Sequence, residues 1–229
     1  MWFTLGLMRL TFLGHAAFLV QTLGYNVVFD PFSPGIGYAP LRTQADLVSL
    51  SHDNPKWHSH LQSVGGEFSV FDALEHIGQP WDCDGVLLES IPVFESWPDD
   101  GEPQGPNAMV KMTSENLRVL HMGDVGHALG DDYLEALGEI DVVLAPVGGP
   151  PTIEPPQLKA FLHELNPKIV VPMHFMIPGL KMQLEPLDAF LNAWEGRAVR
   201  SGSSQLEISM ATLPDEMTLQ VLEPSRLNR

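Results

Sequence analysis

Three histidines and one aspartate stand where the chain leaves short apolar runs, and these residue types can bind metal. His121 and Asp124 lie in a glycine-rich turn, and His52 and His174 each follow another apolar run. Neutral imidazole and carboxylate are ligands of zinc, manganese and iron. Because strand ends can hold such side chains rigidly in one space, the sequence predicts a metal site formed by these four residues. A catalytic metal keeps one position open for a water molecule, which then becomes a nucleophile near neutral pH.

The elements that would position this site are short strands followed by strands and helices in alternation. The first half, from residue 9 to residue 120, is predicted to be mostly strands, separated by turns and by loops rich in Gly and Pro. In the second half an amphipathic helix is predicted where apolar residues recur at helical spacing, namely at Leu158, Phe161, Leu162 and Leu165. This order predicts layered sheets covered by helices, in one domain that spans residues 1–229.

The charge of the chain limits the classes of partner. The sequence has 29 acidic against 12 basic residues, and its formal net charge is −17. This charge repels phosphate backbones and anionic membrane surfaces, and no Lys/Arg cluster forms a basic groove. We therefore expect a small-molecule substrate, with neither nucleic acid nor membrane as a partner. An oligomer is compatible with the sequence.

Cysteine usage and hydropathy predict a soluble, cytoplasmic protein. The single Cys83 excludes an internal disulfide framework and a cysteine-rich zinc module. No stretch approaches the roughly 20 apolar residues that span a bilayer. Residues 1–13 are partly apolar, but they lack the basic start of a signal peptide.

Six motifs are distributed along nearly the whole chain. They are Leu-Gly-His-Ala-Ala-Phe at 13–18, Val-Phe-Asp-Pro at 28–31, Gly-Pro-Asn-Ala at 105–108, His-Met-Gly-Asp-Val-Gly-His at 121–127, Ala-Pro-Val-Gly-Gly at 145–149 and Val-Pro-Met-His at 171–174. In these motifs the chain resembles the metallo-β-lactamase superfamily, and within it the branch similar to L-ascorbate-6-phosphate lactonase and to zinc-dependent hydrolases of the β-lactamase fold. The resemblance implies an α/β, four-layer αβ/βα sandwich, in which helices flank two mixed β-sheets and the site lies where the sheets meet.

The main metal-binding motif of that superfamily is altered in this chain. The pattern His-x-His-x-Asp-His falls on residues 52–57, where only the first histidine remains. Asn54 replaces the second histidine, Lys56 the aspartate and Trp57 the last histidine. Trp57 either closes off the pocket or fills the space that the lost ligand leaves. In the loop after Phe94, relatives tend to have His-Asp where this chain has Glu-Ser.

The resemblance implies two metal positions that this chain fills only in part. One position maps to His52, Asn54 and His121, and the other to Lys56, Trp57 and His174, with Asp124 bridging them. A first hypothesis is therefore a single ion, zinc or else manganese or iron, held by the residues predicted above.

Three further side chains are candidates to complete such a single-ion site. Asn54 is a weak neutral ligand through its carbonyl oxygen. His58 lies one place beyond the lost histidine, so a small loop shift would bring it in, and His60 is a poorer candidate. Glu95 would supply a carboxylate from the facing loop. His15, in the first hairpin, either lines the mouth of the site or caps the turn.

In a second hypothesis the Lys56 ammonium replaces the second metal cation and pairs with Asp124, with no metal bound there. Asp124 and Lys56 are therefore the candidate catalytic residues.

The two hypotheses imply different functions. With one ion, the protein is a metal-dependent hydrolase acting on a small ester, lactone or phosphorylated metabolite. With no ion, it is a non-catalytic binding or scaffold protein that keeps the shape of the pocket.

Overall fold

Two large mixed β-sheets form the centre of the molecule. The structure, a computed structural model, describes residues 6–96 and 103–227. Residues 97–102, which belong to the predicted loop after Phe94, lie outside the described residues, and so do residues 1–5 of the N-terminal segment.

Within the described ranges the chain forms sixteen strands and three α-helices, numbered here in chain order. The strands are β1 (Met8–Gly14), β2 (Ala17–Thr22), β3 (Tyr25–Phe29), β4 (Thr43–Gln44), β5 (Leu47–Leu50), β6 (Val64–Gly65), β7 (Ser69–Asp72), β8 (Trp81–Cys83), β9 (Val86–Ser96), β10 (Gln104–Ser114), β11 (Leu117–His121), β12 (Val142–Pro146), β13 (Ile169–Met173), β14 (Arg197–Arg200), β15 (Gln205–Ile208) and β16 (Thr218–Val221). The helices are α1 (Asp131–Leu137), α2 (Pro155–Leu165) and α3 (Leu187–Asn192).

The strands pair into one sheet of six, one of eight and a small one of two. The six-stranded sheet has the order β15-β1-β2-β3-β5-β7, and the eight-stranded sheet has the order β14-β16-β13-β12-β11-β10-β9-β8. Both contain parallel and antiparallel neighbours. One continuous apolar core includes residues of both sheets, such as Phe12 and Val143. The predicted sandwich of two mixed sheets with helices is confirmed.

Apolar sequence explains the central strands. Every residue of β5, β12 and β13 is buried, and β12 pairs with β13 in parallel. Parallel strands covered on both faces need such nearly continuous apolar runs. The carboxyl ends of these strands are therefore held rigidly, and the loops that follow them begin at fixed positions.

The helix α2 shows how the sequence covers the sheet. It begins with two prolines, which suit a first helical turn because their missing N–H groups would have no partner there. Three of the four positions that the spacing predicts, Leu158, Phe161 and Leu162, are buried, and Leu165 is half-buried. Asn166 ends the helix in a left-handed conformation. At 11 residues, α2 is the longest described helix, and none in the described ranges is long and apolar enough to cross a bilayer.

The two sheets meet where several of their strands end. Asp30 follows β3 and Ser51 follows β5, while His174 follows β13 on the other sheet. The backbone joins the sheets here, since the Ala108 N–H donates to the Ser51 carbonyl at 3.0 Å and the His174 N–H to the His15 carbonyl at 2.8 Å. This junction carries the polar cluster described next.

Candidate metal centre

Six imidazole and carboxylate side chains from both sheets meet in the interior. None is more than 6 % exposed, and they are His15, Asp30, His52, His58, Asp124 and His174. Buried polar groups are stable only when they are paired or bind a cation, so the partner of each decides what the cluster can do.

Asp124 lies at the centre of the cluster. Its Oδ2 is 2.9 Å from His58 Nε2, and its Oδ1 is 3.4 Å from His174 Nε2. The turn after β11 brings it there because Gly123 has φ +57° and packs so closely that a Cβ would lie 2.7 Å from Asn107 Oδ1. The predicted proximity of Asp124 and His174 is therefore present.

His58 enters the cluster through a tight turn in the altered loop. The Asn54 carbonyl accepts hydrogen bonds from the N–H groups of Trp57, His58 and Ser59 at 2.8–3.0 Å. This turn directs the His58 ring inward. Asn54 thus has a backbone role here, and its side chain as a metal ligand stays a prediction.

The same turn directs Lys56 outward. Its side chain is exposed, with Nζ 4.7 Å from the centre of the Trp57 ring, and its described contact is this cation–π interaction. The hypothesis that the Lys56 ammonium pairs with Asp124 is therefore wrong. His58 occupies the place beside Asp124 instead.

Asp30 and Ser51 fix the orientation of two imidazoles. Asp30 Oδ2 accepts hydrogen bonds from Ser51 Oγ at 2.6 Å and from His58 Nδ1 at 3.0 Å. Because Ser51 donates its only hydroxyl proton to Asp30, its oxygen accepts from His52 Nδ1 at 2.9 Å. Both histidines therefore carry a proton on Nδ1 and present Nε2 to the cluster. Carboxylate–histidine pairs of this kind orient metal ligands.

His52 presents its Nε2 towards the mouth of the cluster. This atom is 3.4 Å from Glu95 Oε1, and no hydrogen bond joins them. The Glu95 side chain is 38 % exposed. Two glycines pack closely against this residue: a Cβ on Gly126 would overlap the Glu95 carbonyl oxygen, and one on Gly105 would lie 2.9 Å from the Glu95 side chain. Partial burial and the charge of Asp124 raise the pKa of Glu95. Glu95 thus lies in β9 and not in the predicted loop, and its role as a supplied carboxylate stays a prediction.

His121 does not present a free nitrogen to the cluster. Its Nδ1 accepts from the Gly123 N–H at 3.1 Å, so its Nε2 carries the proton that it donates to the Ala16 carbonyl at 2.8 Å. The ring also stacks on Phe29 with centroids 5.3 Å apart. This geometry contradicts the prediction of His121 as a metal ligand. Its described hydrogen bonds hold the turn of Asp124 against the first hairpin.

His60 also has another partner. Its Nδ1 lies 2.7 Å from Ser63 Oγ, and its N–H donates to the Pro31 carbonyl. These bonds position the loop after β5. Of the two histidines considered as substitutes, the structure brings His58 to Asp124.

His15 is fully buried, and neither of its ring nitrogens has a hydrogen-bond partner. The prediction that it caps its turn is therefore wrong for the side chain. Its ring lies 4.3 Å from that of His174 and 4.9 Å from that of Trp57, centre to centre. Trp57 is itself buried and packs beside these imidazoles.

The electrostatics of the cluster keep most imidazoles neutral and the carboxylates charged. Burial lowers the pKa of His15, His52 and His174. Burial alone would raise the pKa of Asp124, but His174 and His58 bring it well below its ordinary value. Metal ligands must be deprotonated, so these three histidines and Asp124 are in the required state.

His58 is the exception. Burial disfavours its charged form, but Asp124 and Asp30 outweigh this and raise its pKa to about 10. In the metal-free protein the proton on Nε2 that this pKa implies pairs with Asp124 Oδ2 at 2.9 Å, an ion pair that lacks regular hydrogen-bond geometry. A lone pair on Nε2 beside a carboxylate is instead stable when a cation lies between them.

The residues therefore fit a cation. The buried atoms without a hydrogen-bond partner include His58 Nε2, His52 Nε2, Asp124 Oδ1 and both ring nitrogens of His174. Ligand atoms of His15, His58 and His174 lie within 4.8 Å of one another, and so do those of Asp30, His52 and His58. Asp30 is already bonded to Ser51 and His58, so it orients ligands rather than offering a free one.

Known proteins with this architecture are related to the chain. The sequence profile of the beta-lactamase superfamily domain matches residues 9–174, so the chain belongs to the metallo-β-lactamase superfamily. A crystal structure from Thermotoga maritima, described as a candidate Zn-dependent hydrolase of that superfamily, has 34 % sequence identity, covers 94 % of this chain and 99 % of its own, and gives a TM-score of 0.75.

A more distant relative agrees with this family, and a further solved structure shares the fold. A UPF0173 metal-dependent hydrolase of Thermococcus kodakarensis is 29 % identical over 202 residues, which are 74 % of this chain and 85 % of that protein. Igni18, a metallo hydrolase of Ignicoccus hospitalis, shares the fold with a TM-score of 0.64 at 23 % identity, over 95 % of this chain and 96 % of its own. The narrower resemblance to ascorbate-6-phosphate lactonase stays a prediction.

Sequence reasoning missed the roles of Asp30 and Ser51. Asp30 belongs to the Asp-Pro motif that contributed to the family resemblance, and Ser51 directly precedes His52. The sequence signal for Asp30 was an aspartate directly after an apolar strand, a position from which a carboxylate can reach a site at the sheet edge. No pattern indicated Ser51, because its role depends on two hydrogen bonds that only the folded loops create.

Proposed function

We propose that the protein is a metal-dependent hydrolase with one metal site, held by His58, His174 and Asp124, with His52 on the side facing Glu95. The observation that carries this proposal is the set of buried nitrogen and oxygen atoms that face one another without hydrogen-bond partners. Leaving such atoms unpaired costs about 1–3 kcal/mol each, and one cation would satisfy several at once. The relatives' description as metal-dependent hydrolases supports the same function.

A divalent cation in this site would act as a Lewis acid and lower the pKa of a water molecule. The chain's own residues prepare the site for it. Asp124 supplies negative charge at the centre, and Asp30 holds His58 with its Nε2 lone pair inward. Glu95, at the exposed side, is placed to accept or donate a proton at the mouth.

We propose a small ester, lactone or phosphorylated metabolite as substrate. The charge of −17 disfavours nucleic acid. The site opens beside Glu95, whose partly exposed carboxylate would disfavour a substrate with a dense negative charge at the reacting bond. This favours neutral esters and lactones over phosphomonoesters within the class.

The test begins with metal content. The protein, purified without added metal, is examined by elemental analysis and then titrated calorimetrically with Zn²⁺, Mn²⁺ and Fe²⁺ after chelation. We expect about one ion per chain. Metal-loaded protein is next assayed on p-nitrophenyl acetate, a panel of five- and six-membered lactones, and p-nitrophenyl phosphate, with the His58→Ala variant as the matched inactive form.

Two results would contradict the proposal. Less than about a tenth of an ion per chain, unchanged after metal is added, would exclude a metal-dependent reaction. Turnover that is equal in wild type and His58→Ala would show that hydrolysis occurs elsewhere or in the solvent.

One observation favours a second function, that of a non-catalytic binding protein. His58 lies between Asp30 and Asp124, which raise its pKa to about 10, so a proton on His58 could supply the positive charge in place of an ion. A protein that takes up no metal and whose His58 ring gives imidazolium signals in NMR at pH 8 would support this second function.

A further inference from the structure

We propose that His15 is a metal ligand, so that His15, His58 and His174 form a three-nitrogen face that Asp124 completes. The inference rests on the proposed function, because it concerns the same ion. It adds a residue that lies far from the altered motif in sequence, in the turn between β1 and β2.

The first argument is the state of the His15 ring. It is fully buried, and both nitrogens lack a hydrogen-bond partner. Buried histidines normally bond through at least one nitrogen, as His121 does through both. The atoms facing His15 belong to the rings of His174, His58 and Trp57. Among these described neighbours, none gives the ring a hydrogen bond, whereas a cation would give it a partner.

The second argument is distance. One ring nitrogen from each of His15, His58 and His174 lies within 4.8 Å of the other two. Two imidazole nitrogens bound to one zinc ion, each at 2.0–2.1 Å, lie at most roughly 4.2 Å apart. Small rotations of the side chains are therefore enough to bring all three to one ion.

The third argument is the backbone. His15 has φ 55° and His174 has φ 53°, the left-handed region that residues other than glycine rarely adopt. The His174 N–H donates to the His15 carbonyl at 2.8 Å, so the two strained residues are held to each other. Strained conformations of this kind persist where the surrounding structure enforces them, commonly at functional sites.

A three-histidine, one-carboxylate site has a definite metal preference. Imidazole suits zinc, iron, copper and nickel, whereas calcium and magnesium prefer all-oxygen sites. Three imidazoles with a carboxylate therefore indicate a transition metal, with zinc the expected ion. Three histidine ligands also occur in zinc sites that activate water in an open fourth position. With Asp124 as a fourth ligand, water would occupy a fifth position.

The experiment removes the His15 imidazole by substitution and then adds free imidazole to the solution. The His15→Gly variant is compatible with the backbone, because glycine adopts a positive φ without strain. We expect its dissociation constant for Zn²⁺ to rise at least tenfold, and added imidazole to restore much of the affinity. Pyrrole, which has the same ring size but no nitrogen lone pair to donate, should not restore it.

The comparison needs a control and an independent readout. His163→Ala removes an exposed histidine on α2 that stacks on Trp194, and its Zn²⁺ affinity should stay within twofold of wild type. Co²⁺-loaded protein gives visible absorption bands that report the ligand set. Those bands should change in His15→Gly and return with imidazole.

The outcomes separate this inference from the proposed function. A wild type without metal uptake overturns both. A wild type that binds metal, with His15→Gly binding it equally and with the same Co²⁺ spectrum, overturns only the ligand role of His15. Equal rescue by pyrrole and imidazole would also overturn it, since the ring would then only fill space. If His15→Gly is unfolded, the same Zn²⁺ and Co²⁺ measurements are made on His15→Asn, because asparagine also tolerates a left-handed backbone.

Discussion

The loops that contribute His58 and His121 differ in how they use a buried imidazole. His121, at the end of β11, has both ring nitrogens bonded, to the Ala16 carbonyl and the Gly123 N–H. His58, in the loop after β5, is bonded only through Nδ1 to Asp30, and its Nε2 faces Asp124 without a hydrogen bond. Both rings are fully buried. The difference shows that burial alone does not distinguish a candidate ligand from a structural histidine, whereas the partners of the ring nitrogens do.

The sharpest test of this difference exchanges each histidine for alanine. His58→Ala should lower the Zn²⁺ affinity on the order of 100-fold or more, because it removes an ion contact and leaves Asp30 and Asp124 without their shared partner. His121→Ala should keep the affinity within about tenfold but lower the free energy of unfolding by about 1–3 kcal/mol, since the buried Ala16 carbonyl loses its donor.

Calorimetric zinc titration and urea unfolding of both variants measure these effects. If His121→Ala were the variant that loses the ion while His58→Ala kept it, the assignment of the two rings would be reversed.

The second prediction concerns the residue that orients His58. Asp30→Asn keeps the size of the side chain but weakens the bonds to Ser51 and His58 Nδ1, so Nε2 is held less firmly. The Zn²⁺ dissociation constant should rise about 10- to 100-fold. The exposed Asp132→Asn substitution on α1 serves as a matched control. Wild-type affinity in Asp30→Asn would mean that the carboxylate does not direct the ligand.

The third prediction uses pH to distinguish His58 from its neighbours in the metal-free protein. His58 has a raised pKa of about 10, so its contribution to stability is complete below about pH 6.5 and is lost as the pH rises towards 10. Over that range the free energy of unfolding should fall by about 1.4 kcal/mol per pH unit.

The neighbouring histidines act in the opposite direction. Burial lowers the pKa of His15, His52 and His174, so their contribution is present above about pH 6.5 and is lost as the pH falls below it. Urea unfolding from pH 5 to pH 10 with a chelator measures both effects. A flat profile between pH 7 and pH 10 would show that His58 is not charged without metal, and the alkaline decline should disappear once zinc is bound.

The smallest effect is expected at Lys56. Its exposed ammonium lies over the Trp57 ring, away from Asp124, so Lys56→Met should change the Zn²⁺ affinity less than twofold. The cation–π contact contributes only about 0.5–1 kcal/mol at exposed sites, which limits the loss of stability. A large change in metal uptake would restore Lys56 as part of the site.

Much of the fold follows from the sequence, because buried central strands and the amphipathic helix α2 leave clear patterns. The sequence did not indicate four of the strands. Two of them, β4 and β6, have only two residues each, and the other two, β8 and β14, are the edges of the eight-stranded sheet. Their residues are mostly exposed or half-buried, so neither has the apolar run or clear alternation that predicts a strand.

The sequence predicted which residues meet at the sheet junction where they lie at or shortly after strand ends. The proximity of Asp124 and His174 was predicted for this reason, and their role as ligands stays a prediction. His58 was only an alternative, because its direction depends on the turn closed by the Asn54 carbonyl, which the motif does not encode. His121 was misassigned because a strand end does not reveal whether its ring nitrogens find backbone partners.

The left-handed conformations of His15 and His174 extend to Asp30, at φ 44°. Glycine would relieve the backbone strain at each of these three positions, but it would also leave a cavity where a buried side chain packs. A replacement at any of the three must adopt the same left-handed backbone, so few residue types other than glycine and asparagine can be introduced there without further strain.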